Sequence, residues 1–257
     1  MPWGIRQALA RRFPHPAALA ADAAHTGRLT TYLTDLLAPY DLALRDGGFT
    51  GQSYGDMAAS LIADLGAEVD ALVLAYDIPD VTPGRATATW LSHVCPGDPM
   101  AFAVSDQGRA AAHTGLRLLH DYARTGTYER ALLLIVEQAE LPYDPGVPVA
   151  TPAAHAGVAL LLGPSTVEAA APRILAGAEP GDAAAELAAL APDTVILGGP
   201  LADVDVKAGE VLHADPAQPM TGVWSALAEA WTPGAGRIAV ADYDPALRYL
   251  CVSTFGS

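Results

Sequence analysis

Charge is scarce in this chain of 257 residues, positive charge above all, and cysteine scarcer still. Charged residues make up 17%, where an average globular chain carries roughly 25%. The shortfall fits a surface partly covered by a partner, although an alanine-rich composition also dilutes charge. Only 14 basic residues stand against 29 acidic ones, a net charge of −15. No basic stripe exists to offset phosphates, which argues against nucleic acid and anionic membrane as partners. Two cysteines, Cys95 and Cys251, are too few for a disulfide framework, and a cytoplasmic compartment is the simplest expectation. No apolar run approaches the roughly 18 residues of a membrane span. The opening MPWGIRQALARRFPHP lacks the apolar centre of a secretion signal.

What is abundant is apolar sequence, 51% of the chain, enough for a large core built as one domain or two fused halves. Residues 54–66 have helical apolar spacing and end on a glycine stop. DALVLAY (70–76) is an apolar run bounded by Asp and Pro, as in a strand buried on both faces. A helix over 84–93, a strand over 99–105 and a long helix over 107–124 follow. Two more buried strands, ALLLIVE (131–137) and AGVALLLG (156–163), flank a Pro-rich loop. The second half repeats the order: a strand at 173–177, a helix at 182–190, a strand at 193–199, a helix at 221–231, and a closing pair at 236–242 and 248–255. Strands alternating with helices, each half ending in two successive strands, predict an α/β protein with two related mixed sheets. The halves divide as 1–165 and 166–257 within one compact unit.

In AFAVSDQGRAAAHTGLRLL (101–119) an apolar strand runs into a polar turn and a helix opens directly from it. Such a turn faces the free N–H groups of a helix N-terminus, a place that favours a thiolate or an oxyanion. The turn here reads Ser105-Asp106-Gln107-Gly108-Arg109, without a cysteine.

The order of elements around this segment resembles the thiolase superfamily, specifically its ketosynthase III branch. GIRQALARRFP resembles that family's opening strand, VDALVLAYDIPDVTPG the strand and loop before the nucleophile helix, and ARTGTYERALLLIVEQAE the helix end and next strand. AAHAGVALLLG resembles the strand closing the first half, and TGVWSALAEAWTPGAGRIAVADYDPALRYLCVSTF the family's ending. The resemblance implies a thiolase-like fold of two βαβαββ-type halves, shortened between 164 and 193. It also implies a Cys-His-Asn set in which cysteine accepts the acyl group and His and Asn polarise the extender unit. Carried across, the cysteine position falls on Gly108 (or Arg109 after a one-residue slip), the histidine on Gly198 and the asparagine on Met220. All three functional groups are absent.

The expected function is therefore a catalytically silent subunit that dimerises with a Cys-bearing ketosynthase III-like chain, or with itself. It would shape an acyl channel in polyketide or fatty-acyl-type secondary metabolism, with acyl carrier protein a further expected partner and no cofactor or metal. In the family the strand before the turn pairs across a two-fold axis, which assigns Met100, Phe102 and Val104 to the dimer interface. The alternative is an acyltransferase or thioesterase acting on acyl carrier protein or coenzyme A thioesters through Ser105, Asp106 and His113 or His120. Against it, Asp106 reads as a helix cap and the histidines as residues of a packed or solvated face. Cys95, next to His93, is a conceivable displaced nucleophile but reads as structural, and Cys251 reads as core. His213 and Asp215 read as a surface turn, and LGGP (197–200) is a weak phosphate loop.

Overall fold

The computed structural model describes residues 2–45, 51–82 and 86–256. In chain order the first half carries β1 (Trp3–Arg12), α1 (Ala23–Leu37), α2 (Tyr54–Leu65), β2 (Ala71–Ala75), α3 (Thr87–Val94), β3 (Met100–Val104), α4 (Ala110–Arg124), β4 (Ala131–Glu137) and β5 (Ala156–Pro164). The second carries β6 (Arg173–Ala176), α5 (Asp182–Leu190), β7 (Thr194–Leu197), β8 (Glu210–His213), α6 (Thr221–Ala230), β9 (Ile238–Asp244) and β10 (Tyr249–Phe255). Residues 84 and 85 of the helix expected over 84–93 lie outside the described residues; α3 begins at Thr87.

Two five-stranded sheets result, ordered β1-β5-β4-β2-β3 and β6-β10-β9-β7-β8. One order becomes the other by replacing each strand with its counterpart in the second half. In both, the strand next to the edge runs parallel to its two neighbours, β2 to β3 and β4, β7 to β8 and β9. In both, the last two strands form an antiparallel pair, β4 with β5 and β9 with β10. The segment between 164 and 193 holds β6 and α5.

Period-2 alternation explains why the strands are apolar throughout. On β4, Ala131, Leu133 and Ile135 enter a central core shared by both sheets, while Leu132, Leu134 and Val136 enter a second core on the outer face. Both faces must be covered, and five layers do it. α2 and α3 pack on the outer face of the first sheet and α5 on that of the second. Between the sheets lie α4, against β2, β3, β4, β6, β9 and β10, and α6, against β1, β4, β5, β7, β8 and β9. Gly115 allows the close approach of α4: a Cβ there would stand 3.0 Å from side-chain carbons of Val73 and Leu133. Trp224 of α6 fills the middle of this layer against the His113 ring, 4.7 Å between centroids.

α2 shows the local rules at work. The Ser53 hydroxyl accepts the Asp56 N–H at 3.4 Å, and Gly66 closes the helix in the left-handed conformation. β3 and β8 are the equivalent edge strands of the two sheets. Among the described residues no helix is long and apolar enough to cross a membrane.

Candidate active site

β2 and β3 of the first sheet and β9 of the second end beside the turn that leads into α4. There the chain turns through Asp106 and Gly108, both in the left-handed region at φ 61° and 52°, before Arg109 leads into the helix. The long helix expected from 107 begins at Ala110. Asp106 does not cap it, because the left-handed turn carries its carboxylate away; it accepts the Ser105 hydroxyl at 2.8 Å instead.

Carboxylates from elsewhere in the chain take the N–H groups of the two residues that lead into this helix, while those of Ala110 and Ala111 return to the carbonyls of Gln107 and Gly108. The N–H of Arg109 donates to Asp244 Oδ2 at 3.0 Å. The N–H of Gly108 is turned to Asp77, which follows β2; burial, reinforced by the charge of Asp244, raises the Asp77 carboxyl while that N–H opposes the rise. Asp244 is fixed in turn by the N–H groups of Ala246 and Leu247, both on Oδ1 at 3.0 and 2.9 Å. A Cβ on Gly108 would collide with the Asp244 carboxylate.

Two residues earlier, on the same face of β9, Asp242 lies fully buried. A Cβ on Gly198, at the end of β7, would collide with its carboxylate. Asp242 Oδ1 accepts the Tyr243 N–H at 2.8 Å and stands 3.4 Å from the Arg109 guanidinium; Oδ2 is buried with no hydrogen-bond partner among the described residues. Burial pushes this carboxyl up to about 7, against the pull of Arg109. The same guanidinium donates to the Pro219 carbonyl at 2.6 Å, tying α4 to the loop before α6.

Met220 occupies the N-cap position of α6 and has no capping side chain of its own. Glu137, at the end of β4, supplies the cap. Its Oε2 accepts the Met220 N–H at 2.9 Å, and Oε1 accepts the Thr221 hydroxyl at 2.5 Å and the Gln218 amide at 2.7 Å. Burial raises the Glu137 carboxyl, while the Thr221 and Met220 donors and the charge of Arg109 oppose the rise.

The three positions that the resemblance singled out, Gly108, Gly198 and Met220, thus converge on one place. The residues that fill it were not singled out: Asp77, Asp242, Asp244 and Glu137. The available signal was the Asp-x-Asp spacing of 242 and 244 on an apolar strand, which puts both carboxylates on one face. Arg109, weighed only as an alternative cysteine position, is the cation that joins them.

A cavity of about 380 Å³ opens above the turn, lined by Asp77, Gly108, Arg109, Asp244, Val149 and Leu247 among others. Its described lining includes no cysteine, serine, threonine, histidine or lysine. A larger cavity of about 640 Å³ lies against β3, lined by Tyr54, Tyr76, Ala101, Phe102 and Ala103 with Asp77, Asp80 and Asp106. Among the described residues no group of three His, Cys, Asp or Glu side chains is placed to hold a metal ion.

The alternative hydrolytic residues do not assemble. His113 is buried inside α4's packed face, where Nδ1 meets the Ser253 hydroxyl at 2.8 Å and burial drops its pKa to about 3. Ser105 is committed to Asp106, and His120 packs edge-on to Trp3. Cys95 ends α3, buried, with its thiol pushed up to about 11, and Cys251 is core on β10. His213 is the last residue of strand β8, which corrects the surface-turn reading there; Asp215 pairs with Arg12 at 2.7 Å.

No protein-family model matches this chain, and no curated protein matches it in sequence. Solved structures do. A cysteine-to-serine variant of OleA from Xanthomonas campestris, with bound lauric acid and lauroyl-CoA, superposes with a TM-score of 0.65 at 13% identity, covering 100% of this chain and 99% of that one. OleA with bound cerulenin gives 0.65 at 12% identity, with 100% and 99% covered. The 3-oxoacyl-(acyl carrier protein) synthase III, FabH, of Pseudomonas aeruginosa PAO1 gives 0.64 at 15%, with 100% and 98% covered. With two topologically equivalent mixed sheets around a shared helical layer, the chain has the thiolase-like fold of these ketosynthase III-like enzymes.

Proposed function

We propose that this chain is a catalytically silent, ketosynthase III-like subunit that pairs with a Cys-bearing ketosynthase and shapes its acyl channel. One observation carries the reading: the space beside Gly108 and Gly198, where a thiol and an imidazole would project, is filled by the carboxylates of Asp244 and Asp242. The helix N-terminus that would steady a thiolate or an oxyanion is likewise occupied, by Asp244 and Asp77. An anionic intermediate placed there would meet carboxylates where the chemistry requires donors. The edge of β3, unpaired among the described residues, with Met100 39% exposed and Phe102 half-buried, supports pairing through that strand. The acyltransferase or thioesterase reading has no assembled nucleophile and base to support it.

The test is incubation with acyl-CoA and with acyl-loaded carrier protein, followed by intact mass and peptide mapping. No covalent adduct is expected. A stable acyl adduct on Cys95 or Ser105 would overturn the silent reading.

A further inference from the structure

β3 pairs with β2 on one side, and no described strand covers its other edge. The edge carries an apolar patch. Phe102 meets Tyr122 edge-on with centroids 6.4 Å apart, Tyr122 meets Tyr128 at 5.5 Å, and the Tyr128 hydroxyl donates to the Met100 sulfur at 3.2 Å. An unpaired ladder beside half-buried aromatic rings and an exposed Met100 invites a second strand. The question is which strand, and the residues at the two ends of β3 answer it.

Asp98 lies just before the strand and Asp106 just after it. Both are exposed, both are left-handed turn residues at φ 46° and 61°, and neither takes part in an ion pair among the described residues. They stand at equal distances, four residues each, from Phe102 at the strand's centre. If two copies of this chain paired antiparallel about Phe102, the Asp98 end of each strand would meet the Asp106 end of the other. That brings four carboxylates together as two like-charged pairs, on a chain that already carries a net charge of −15. Like charges placed opposite each other across a strand pair are destabilising.

We propose that Asp98 and Asp106 exclude self-pairing of the β3 edge and select a non-identical chain of this fold whose equivalent strand is flanked by lysine or arginine. The proposal rests on the reading of β3 as a paired edge and specifies the partner's chemistry. Apolar contact through Met100 and Phe102 supplies adhesion, and the flanking charges supply discrimination.

Sedimentation equilibrium and light scattering on charge variants test it, with circular dichroism as the check on folding. The unsubstituted chain is expected to self-associate weakly at low salt and more strongly as salt screens the carboxylates. Asp98→Lys alone would set a cation opposite Asp106 twice, and self-association should rise roughly tenfold or more. Asp98→Lys/Asp106→Lys should lose self-association yet bind the unsubstituted chain in a one-to-one mixture. Asp98→Asn/Asp106→Asn, which retains residues at home in the left-handed turn, should raise self-association by a smaller factor. A tight, salt-insensitive dimer of the unsubstituted chain that Phe102→Lys disrupts would overturn the exclusion and leave the paired edge standing. Failure of the complementary mixture to associate, together with no effect of Phe102→Lys, would overturn the paired edge itself.

Discussion

The carboxylate of Asp244 and the backbone N–H of Arg109, 135 residues apart in the chain, meet at 3.0 Å where the two sheets end on the same helix start. This contact puts an acceptor from the second half over the helix terminus of the first. It also sets the size of the residue beside it, since Gly108 has no room for a side chain while the carboxylate is there.

Gly108→Ala therefore costs stability in two separable ways. A left-handed alanine costs roughly 1–2 kcal/mol, and the collision with Asp244 adds to it. In Gly108→Ala/Asp244→Ala only the first cost remains. Urea denaturation of the two single variants and the double is expected to give a coupling of about 1 kcal/mol or more, alanine at 108 being better tolerated without the carboxylate. Additive losses would mean that the two residues do not compete for this space.

Asp242 makes the fold sensitive to pH in the direction opposite to an ordinary salt-bridged carboxylate. Its folded pKa is raised to about 7 from an ordinary 3.8. Below about pH 4 it is protonated whether folded or unfolded, and the penalty is absent. As pH rises from 4 to 7 the unfolded chain ionises freely while the folded one resists, so stability falls, and above 7 the full penalty applies. The gap corresponds to something on the order of 4 kcal/mol. Asp242→Asn, of nearly the same shape, should stabilise the chain at pH 8 and much less at pH 5, measured by urea denaturation at both. His113 works against this trend, because a group held neutral in the fold loses stability as pH falls below 6.5.

The parts of this architecture that buried continuous apolar runs were legible in the sequence. β4 and α5 lie where ALLLIVE and DAAAELAAL placed them, and the repeated order of strands and helices is the repeated order of the two sheets. α1 was not legible. Its buried residues are a single narrow stripe, Leu29, Leu33 and Leu37, among threonines, tyrosine and glycine, and its clearest marker is Asp22 accepting the N–H groups of Ala24 and His25. β8 escaped because it is a four-residue edge with only Val211 and Leu212 half-buried. At the site, the sequence pointed to Gly108, Gly198 and Met220 as positions lacking a function. What occupies the space is a matter of tertiary placement: Asp242 and Asp244 reach α4 only because β9 ends beside it.

Glu137 holds the start of α6 through three donors, so its loss should be costly. Glu137→Ala strands the Met220 N–H and the Thr221 hydroxyl in a buried place, while the Gln218 amide keeps the Ala154 carbonyl at 3.1 Å. Each unmet buried donor costs about 1–3 kcal/mol, partly relieved by repacking and water. A loss on the order of 3 kcal/mol or more is expected by thermal or urea unfolding. Glu137→Gln keeps one carbonyl oxygen as acceptor and should lose distinctly less. Equal losses from both would mean that packing contributes little and that one retained oxygen does not serve as the cap.

Gly108→Cys tests whether the turn could work if its nucleophile were supplied. A thiol at 108 would stand beside Asp244 and Asp77. Nearby carboxylates disfavour the thiolate, and the N–H groups that would favour it are already engaged with them. Alkylation of the new thiol by iodoacetamide should therefore be slow at pH 7.5. It should quicken in Gly108→Cys/Asp244→Asn, where one opposing charge is gone; peptide mapping separates position 108 from Cys95 and Cys251. Neither variant is expected to condense an acyl primer with malonyl-loaded carrier protein. Gly198 and Met220 offer no side-chain donor to a developing oxyanion, and removal of even one such donor costs roughly 10²–10³ in rate. Condensation by the single variant would show that donors for the extender unit come from residues other than those two, and the silent reading would fall with it.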